Sequence, residues 1–273
     1  MMGDDSHCCS TNLGVVLWPL LTLYSVVYWV LTILLLALFA ALYQVVWLVG
    51  GRGHGIARVQ AVWGRLQVAM ALSTVHVEGR ENLPKEGGCV LVANHRSYVD
   101  IFAINAVVGR PVRWVLKESL LHYPVLGLHL RTAGGAVALD RGNPRAAARV
   151  LLEAAKDLGK GDVFVVFPEG TRSSEGMLPF KSGAFALVQR SGVPLVPVAI
   201  RGTGRILPAR SLLIHPFKRV SMTFLPPMTG QALDIDREAL SNEVRSRLIS
   251  ELRESPVECA PVEVSHGQGA GSS

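Results

Sequence analysis

The longest uncharged stretch of the chain constrains its fold more than any other feature. Residues 13–49 contain no Asp, Glu, Lys or Arg and consist mainly of Leu, Val, Ala and aromatic residues. This composition predicts a membrane-embedded segment, because about 20 apolar residues suffice to cross the hydrocarbon core of a bilayer. The remainder of the 273 residues must therefore fold beside a membrane.

The length of this segment leaves two forms open. As one helix it would extend about 55 Å, whereas the hydrocarbon core measures about 30 Å and two complete spans need about 40 residues plus a turn. We therefore expect either a tilted span with interfacial ends or a re-entrant helical hairpin. Pro19 or the pair Tyr24 and Ser25 would mark the bend.

Charges on either side of the apolar run predict its orientation. Asp4 and Asp5 precede it, which is not typical of a cleaved signal peptide, and Arg52, Arg58 and Arg65 follow it. The positive-inside bias then places the remainder of the chain on the cytoplasmic face of a membrane, which we take to be a bacterial inner membrane. The net charge of +6 comes without a basic run of nucleic-acid-binding type. We therefore expect membrane lipids and phosphorylated substrates as partners, and no nucleic acid.

Composition divides the chain into five segments. They are a polar N-terminal segment (1–12), a membrane anchor (13–50), a basic amphipathic helical linker (51–78), a folded domain (79–254) and a disordered tail (255–273). In the linker, Ile56, Val59 and Trp63 share one helical face, opposite Arg58 and Arg65. Such a helix could lie on lipid headgroups or pack its apolar face on the folded domain.

Short apolar runs alternate with helical patterns throughout the folded domain, which predicts an α/β fold. The predicted helices begin with the clearest one, from the N-cap Asn143 to Gly159, and continue at 182–191 and about 237–253. The apolar runs cover residues 89–93, 112–116, 136–139, 163–167, 195–200 and 220–225.

A histidine and an aspartate follow the first of these strands. Asn94 and His95 come directly after residues 89–93, and Asp100 opens the next apolar stretch. On one continuous helix, His95 and Asp100 would lie about 140° apart, so the segment must turn. With Asp100 in the first helical turn, its carboxylate can fix the imidazole tautomer and leave the other ring nitrogen to accept a proton. Alternatively, Asp100 caps a helix and His95 is a loop residue.

A cationic turn follows another apolar strand. The run Phe-Pro-Glu-Gly-Thr-Arg occupies residues 167–172, and its Pro and Gly predict a tight turn. Arg172 offers a planar set of donors suited to phosphate, Thr171 can add another, and Lys181 lies nearby in sequence. The alternative is a surface turn in which Glu169 and Arg172 form an ion pair.

At this point the chain resembles the glycerolipid acyltransferases typified by lysophosphatidic acid acyltransferase, also called 1-acylglycerol-3-phosphate O-acyltransferase. Four blocks match in order, across about residues 79–225. Residues 94–100 resemble the His-x4-Asp block, 135–141 the second block, 167–173 the phosphate-binding block and 193–200 the proline-bearing fourth block. The second block departs where Ala138 replaces the usual larger residue.

The resemblance implies a mixed, mostly parallel sheet flanked by helices and a set of site residues. His95 and Asp100 would form the catalytic pair, without a metal and without a cofactor other than the acyl thioester, carried by coenzyme A or acyl carrier protein. The residues expected around the glycerol phosphate are Lys117, Arg141, Glu169, Gly170, Thr171 and Arg172.

The implied reaction is acyl transfer to the sn-2 hydroxyl of 1-acyl-glycerol 3-phosphate, which yields phosphatidic acid for phospholipid biosynthesis. His95 would act as general base, and the easily displaced thiolate removes the need for a strong acid. A covalent acyl-enzyme through Cys89 or Ser97 is disfavoured, because neither shows an activating partner. The other cysteines, Cys8, Cys9 and Cys259, have no metal or disulfide spacing and are interpreted as reduced thiols.

Other function classes fit the sequence less well. The chain contains neither the Gly-x-Ser-x-Gly elbow of a serine esterase nor the phosphate loop of a kinase. Its remaining histidines are scattered, so the sequence also lacks the clustered ligands of a metalloenzyme. Two alternatives stay open. One is acylation of another acceptor, either a lyso-lipid such as lyso-ornithine lipid or a lysophospholipid, or glycerol 3-phosphate itself. The other is a non-enzymatic lipid-binding membrane protein. The scattered histidines are His54, His76, His122, His129 and His215.

Overall fold

The computed structural model of the chain describes residues 10–51, 53–132, 136–140, 142–158 and 161–254. Several sequence predictions lie outside the described residues. They concern residues 1–9, Arg52, Arg141, Gly159 and the tail 255–273.

A seven-stranded sheet forms the centre of the described structure. The strands are β1 (Thr74–Glu78), β2 (Cys89–Ala93), β3 (Val112–Lys117), β4 (Ala136–Leu139), β5 (Val163–Val166), β6 (Leu195–Arg201) and β7 (Arg219–Phe224). Their order is β1-β7-β6-β2-β5-β3-β4, and β6 pairs with β7 in antiparallel orientation while the other neighbours are parallel. The expected mixed, mostly parallel sheet is confirmed.

Helices cover both faces of this sheet. They are α1 (Ser10–Leu48), α2 (His54–Met70), α3 (Val99–Val108), α4 (Pro124–Thr132), α5 (Pro144–Leu158), α6 (Phe185–Ser191), α7 (Thr203–Ile206) and α8 (Arg237–Glu254). Successive strand residues point to opposite faces, so Leu91 packs with α2 and α3 while Val90 packs with α5, α6 and α8. Because β2 is buried on both faces, it appears in the sequence as a continuous apolar run.

One strand was missed by the sequence prediction. Residues 74–78, assigned there to the helical linker, form β1, which pairs in parallel with β7 at the edge of the sheet. Exposed Thr74, His76 and Glu78 alternate with half-buried Val75 and Val77. An edge strand packed on one face lacks the continuous apolar run by which the buried strands were found. The folded domain therefore begins at Thr74.

The apolar N-terminal segment forms a single helix, so the re-entrant hairpin is wrong. Helix α1 continues for 39 residues through Pro19. Its part from Trp18 to Leu48 is long and apolar enough to cross a membrane, with a mean hydropathy of 2.5.

The basic amphipathic helix α2 packs its apolar face on the folded domain. The Trp63 ring meets Phe102 of α3 edge-on, with centroids 5.0 Å apart. At Gly64 the backbones of α2 and α3 approach so closely that a Cβ added to Gly64 would lie 2.5 Å from the Phe102 carbonyl oxygen. Of the two arrangements left open by the sequence, packing on the domain is the one observed.

Candidate active site

The two motifs lie at the carboxyl ends of adjacent parallel strands. His95 follows β2 and Phe167 follows β5, and these strands pair directly in the centre of the sheet. This edge is where α/β proteins commonly bind ligands. Asn94 fixes the end of β2, because its side-chain amide donates to the Ile200 carbonyl at 2.9 Å and its oxygen accepts the Ile200 N–H at 2.8 Å.

His95 and Asp100 form the predicted pair. The His95 Nδ1 atom lies 2.8 Å from Asp100 Oδ2, and the Asp100 side chain is completely buried in the first turn of α3. The same oxygen accepts the backbone N–H groups of Arg96 and Ser97 at 2.8 and 2.9 Å. Asp100 therefore organises the turn between β2 and α3 and also orients the imidazole.

The orientation of the His95 ring determines which nitrogen can act as a base. A carboxylate can only accept hydrogen bonds, so the proton of neutral His95 resides on Nδ1 and the lone pair on Nε2. The ring stacks on Phe167, with centroids 4.0 Å apart and planes 11° apart, and Phe167 in turn stacks on Trp114 at 5.9 Å. The imidazole is thus held by Asp100 at its edge and by Phe167 on its face.

Glu169 connects the two motifs through the backbone. Its Oε1 atom accepts the His95 N–H at 2.8 Å, and its Oε2 atom accepts the Leu178 N–H at 2.9 Å. The side chain is buried, and burial raises its pKa above the ordinary value of 4.5, while the two backbone hydrogen bonds and nearby His95 and Arg96 partly oppose this rise. The surface ion pair with Arg172 is wrong, because Glu169 is buried and both of its carboxylate oxygens accept backbone N–H groups, one of them from His95.

Further hydrogen bonds join the same two segments. The Ser173 N–H donates to the His95 carbonyl at 3.1 Å. The Arg96 guanidinium donates to the carbonyls of Gly176 and Ser174 at 2.6 and 3.3 Å. Arg96 is therefore a structural clamp, although its charge and position beside His95 would also suit an anion site.

Arg172 is held by a residue of the first motif. Its guanidinium carbon lies 3.6 Å above the centre of the Tyr98 ring, within the range of a cation–π interaction. The Nη1 atom of Arg172 is buried and has no hydrogen-bond partner among the described residues. A buried donor without a partner costs about 1–3 kcal/mol, and a bound phosphate oxygen would satisfy it.

Gly170 and Lys181 form the other part of this turn. Gly170 has a φ of +74°, which L-residues rarely adopt, and its N–H donates to the Phe167 carbonyl at 3.0 Å. A Cβ at this position would lie 3.1 Å from Lys181 Nζ, so the lysine side chain crosses directly against the glycine. Exposed Thr171 follows Gly170, so the turn places a hydroxyl beside the cationic side chains of Arg172 and Lys181.

Two predicted site residues lie outside the two motifs. Lys117 is exposed at the carboxyl end of β3, on the same edge of the sheet but separated from β2 by β5. Arg141 is not among the described residues. In the described ranges, no group of three His, Cys, Asp or Glu side chains converges as metal ligands.

Neither residue considered as an acyl nucleophile is placed for that role. Cys89 is buried in β2, and burial raises the pKa of its thiol to about 11. The Ser97 hydroxyl is buried, donates to the Leu207 carbonyl at 2.9 Å and accepts the Val99 N–H at 3.1 Å. Both side chains therefore serve the fold.

Sequence reasoning did not find three residues of the site. The Tyr98 ring supports the Arg172 guanidinium, and the Phe167 ring supports the His95 imidazole. The Trp114 ring stacks in turn on Phe167. Tyr98 and Phe167 lie inside the two motifs, and this position could have identified them from the sequence as site residues. Trp114 lies within a predicted strand, and a strand position does not distinguish a site residue from a core residue.

Comparisons with known proteins agree with this geometry. The family model described as Acyltransferase matches residues 74–201. The chain is 34% identical over 197 residues to the chloroplastic 1-acyl-sn-glycerol-3-phosphate acyltransferase of Brassica napus, covering 71% of this chain and 54% of that protein. It is 34% identical to the Saccharomyces cerevisiae 1-acyl-sn-glycerol-3-phosphate acyltransferase over 191 residues, covering 66% and 60%. The chain thus spans about half the length of the plant relative.

A solved structure shares the architecture. The crystal structure of the 1-acyl-sn-glycerophosphate acyltransferase PlsC from Thermotoga maritima superimposes with a TM-score of 0.63 at 29% identity, over 81% of this chain and 96% of that one. The sheet, the two motifs at its carboxyl edge and these sequence likenesses lead to one conclusion. The chain belongs to the acyltransferase family that includes the 1-acyl-sn-glycerol-3-phosphate acyltransferases.

Proposed function

We propose that this chain transfers an acyl group from a thioester to the sn-2 hydroxyl of 1-acyl-glycerol 3-phosphate, with phosphatidic acid as product. The observation that carries this proposal is the 2.8 Å contact between His95 Nδ1 and Asp100 Oδ2. Beside it lies a turn in which Arg172 Nη1 is buried without a hydrogen-bond partner in the part of the chain that the structure describes. The names of the relatives support the same acceptor.

In the proposed reaction, His95 Nε2 removes the proton from the acceptor hydroxyl while its oxygen attacks the thioester carbonyl. The buried Asp100 carboxylate stabilises the resulting imidazolium. The C–S bond then breaks, and the departing thiolate, whose conjugate thiol has a pKa of about 8.5, recovers the proton. The steps use a hydroxyl and a thioester and require no further cofactor, and the thiol carrier is coenzyme A or acyl carrier protein.

The acceptor phosphate would bind at the turn that follows β5. Arg172 supplies the planar donor set, Lys181 a second cation and Thr171 a hydroxyl. Because Arg172 stacks on Tyr98, which lies three residues after His95, binding of the phosphate is tied to the segment that carries the base.

The N-terminal helix would attach the enzyme to the membrane that contains its acceptor. One face of α1 is fixed to the domain, since Tyr24 donates to the Met70 carbonyl at 2.6 Å and Tyr43 meets His129 edge-on at 4.7 Å. These contacts are separated by about 29 Å along the helix axis, about the thickness of the hydrocarbon core. We propose that α1 is embedded with its opposite face toward lipid, on the cytoplasmic side. Exposed residues of that face are Leu20, Leu23, Val26, Val30, Ile33, Leu34 and Leu38.

A substrate panel tests this proposal. The purified full-length chain would be reconstituted in vesicles with an acyl thioester and one of three acceptors: lysophosphatidate, a lysophospholipid or a monoacylglycerol. We expect phosphatidic acid from lysophosphatidate and little product from the monoacylglycerol, because only a phosphate monoester engages Arg172 fully. Preference for the lysophospholipid would reassign the acceptor, and absence of all acyl transfer would reject the enzymatic role.

A further inference from the structure

Three residues of one surface region have an unfavourable backbone conformation. Among the described residues, the only positive φ angles outside glycine are those of Leu72 (47°), Arg210 (68°) and Phe217 (58°). The left-handed region is disfavoured for residues with a Cβ, and especially for bulky ones. Leu72 and Phe217 are joined directly, because the Phe217 N–H donates to the Leu72 carbonyl at 3.1 Å.

Leu72 occupies the position that glycine usually takes at the end of a helix. The Ser73 N–H donates to the Val68 carbonyl, and Leu72 stands in the left-handed conformation between the helix and Ser73. Glycine would adopt this conformation without penalty. Within the chain the leucine gains little in return, since its side chain is 49% exposed.

The exposed apolar residues of this region stand on a well-anchored loop. Phe217 is 76% exposed and Leu212 is 70% exposed, whereas Leu207 and Ile214 of the same loop are buried in the core. We call Leu72, Leu212 and Phe217 the apolar patch. Because loop 207–218 is fixed by its buried residues, the apolar patch is a defined surface feature.

The apolar patch is continuous with helix α1. The Trp29 indole donates to the Leu212 carbonyl at 2.7 Å, and the Ile214 N–H donates to the Ser25 hydroxyl at 2.9 Å. Val26 and Val30, one position further along the helix, are each 53% exposed. The exposed apolar surface of α1 therefore extends onto loop 207–218.

The charged residues of segment 202–219, which contains Leu212 and Phe217, are all basic. They are exposed Arg205, Arg210 and Arg219 and half-buried Lys218. No Asp or Glu occurs between Glu175 and Asp234 in the sequence. Apolar side chains bordered by cations fit the interface of a bilayer that contains anionic lipids.

We infer that the apolar patch is a second membrane-binding element, which inserts beside α1 while the surrounding basic residues bind anionic headgroups. Lipid contact would supply the favourable burial that Leu72 and Phe217 lack within the chain. The Leu207 carbonyl of loop 207–218 also accepts a hydrogen bond from the Ser97 hydroxyl. Insertion of the loop would therefore hold the segment that carries His95 near the lipid surface. This inference rests on the proposed embedding of α1.

Spin labels on the full-length chain test the insertion. Cys8, Cys9 and Cys259 are replaced by Ser, and a nitroxide is attached through Phe217→Cys, Leu34→Cys or Glu86→Cys. The vesicles contain phosphatidylcholine with about 30 mol% phosphatidylglycerol. Collision rates with lipid-soluble oxygen and with a water-soluble nickel chelate report the surroundings of each label. We expect position 217 to match position 34 of α1, and exposed position 86 to report water.

The outcomes separate this inference from the proposed function. A label at 217 that matches position 86, while 34 reports lipid, overturns the insertion alone. Water at both 217 and 34 overturns the embedding of α1 as well. Protection of 217 from both reagents, with label–label broadening, would show that a second copy of the chain covers the patch, which also overturns the inference.

Glycine variants test the relation between strain and lipid binding. Leu72→Gly with Phe217→Gly removes two apolar side chains and the strain, so the thermal unfolding temperature in detergent should stay unchanged or rise. The apparent KM for acceptor presented in vesicles should rise roughly fivefold, whereas the KM in detergent micelles should stay near that of the parent chain. Phe217→Leu keeps an apolar side chain and should retain the parent KM in vesicles. An unchanged KM in vesicles for the double glycine variant would contradict insertion. A lowered unfolding temperature would also contradict it, because the two side chains would then stabilise the fold itself.

Discussion

The backbone N–H of His95 donates a hydrogen bond to the buried carboxylate of Glu169, 74 residues further along the chain, at 2.8 Å. The second oxygen of Glu169 accepts the Leu178 N–H. A single side chain thus fixes the backbone of the base and the turn that carries Arg172. This carboxylate sets the distance between His95 and the turn that carries Arg172, and in the proposed reaction it contacts neither substrate.

The raised pKa of Glu169 predicts how stability depends on pH. The folded protein binds its proton more tightly than the unfolded chain, so the contribution of Glu169 is full below about pH 4.5 and is lost as the pH rises through the folded-state pKa. The unfolding free energy of the parent chain minus that of Glu169→Gln should therefore fall between pH 4.5 and neutrality. Denaturant unfolding across this range provides the measurement. Glu175→Gln, a matched change at an exposed position of the same loop, should leave the parent pH dependence in place, and a difference that grows with pH would contradict this prediction.

Replacing Tyr98 should weaken binding of the acceptor phosphate. The ring supports the Arg172 guanidinium at 3.6 Å, and loss of a cation–π contact of about 0.5–2 kcal/mol corresponds to roughly a 2- to 30-fold increase in KM. We expect this increase for Tyr98→Leu with lysophosphatidate, while Tyr98→Phe keeps the ring and stays near the parent value. Steady-state kinetics with the two variants distinguish the ring from the hydroxyl. An equal increase in both variants would show that the hydroxyl is the important group.

Gly170 and Gly176 form a matched pair for testing the turn. Both have positive φ angles, but a Cβ at 170 meets Lys181 whereas a Cβ at 176 meets open space. Alanine at either position should lower the unfolding free energy by about 1 kcal/mol. Only Gly170→Ala should also raise the KM for lysophosphatidate, because it displaces the lysine. Equal kinetics in the two variants would argue against a role of Lys181 at the phosphate.

Most of the sheet could be predicted because buried parallel strands are continuous apolar runs. The run at 89–93 matches β2, and the run at 163–167 covers β5, and both strands are fully buried. The edge strand β1 could not be found in this way, since it is packed on one face and alternates polar with apolar residues. The form of α1 could not be settled either, because the length of an apolar run does not tell a single helix from a hairpin.

The site was predictable in its residue types but not in its contacts. The spacing of His95 and Asp100 required a turn, and the structure has one. The role of Glu169 depends on which way its carboxylate points, and the pairing of Tyr98 with Arg172 joins residues 74 positions apart. Such contacts follow from the packing of β2 against β5, which local sequence patterns do not specify.

The central claim is that His95, oriented by Asp100, is the base of an acyl transfer, and one comparison of variants tests it most directly. Full-length parent, His95→Ala and Asp100→Asn chains are assayed in vesicles for phosphatidic acid formed from lysophosphatidate and an acyl thioester. Exposed His122→Ala serves as the matched control. We predict that the two site variants lose about 10²–10⁴-fold in turnover, while His122→Ala keeps the parent rate. Asp100→Asn should also lower the unfolding temperature, because the buried carboxylate accepts the Arg96 and Ser97 N–H groups, so His95→Ala is the decisive variant. Parent-level turnover in His95→Ala would contradict the account.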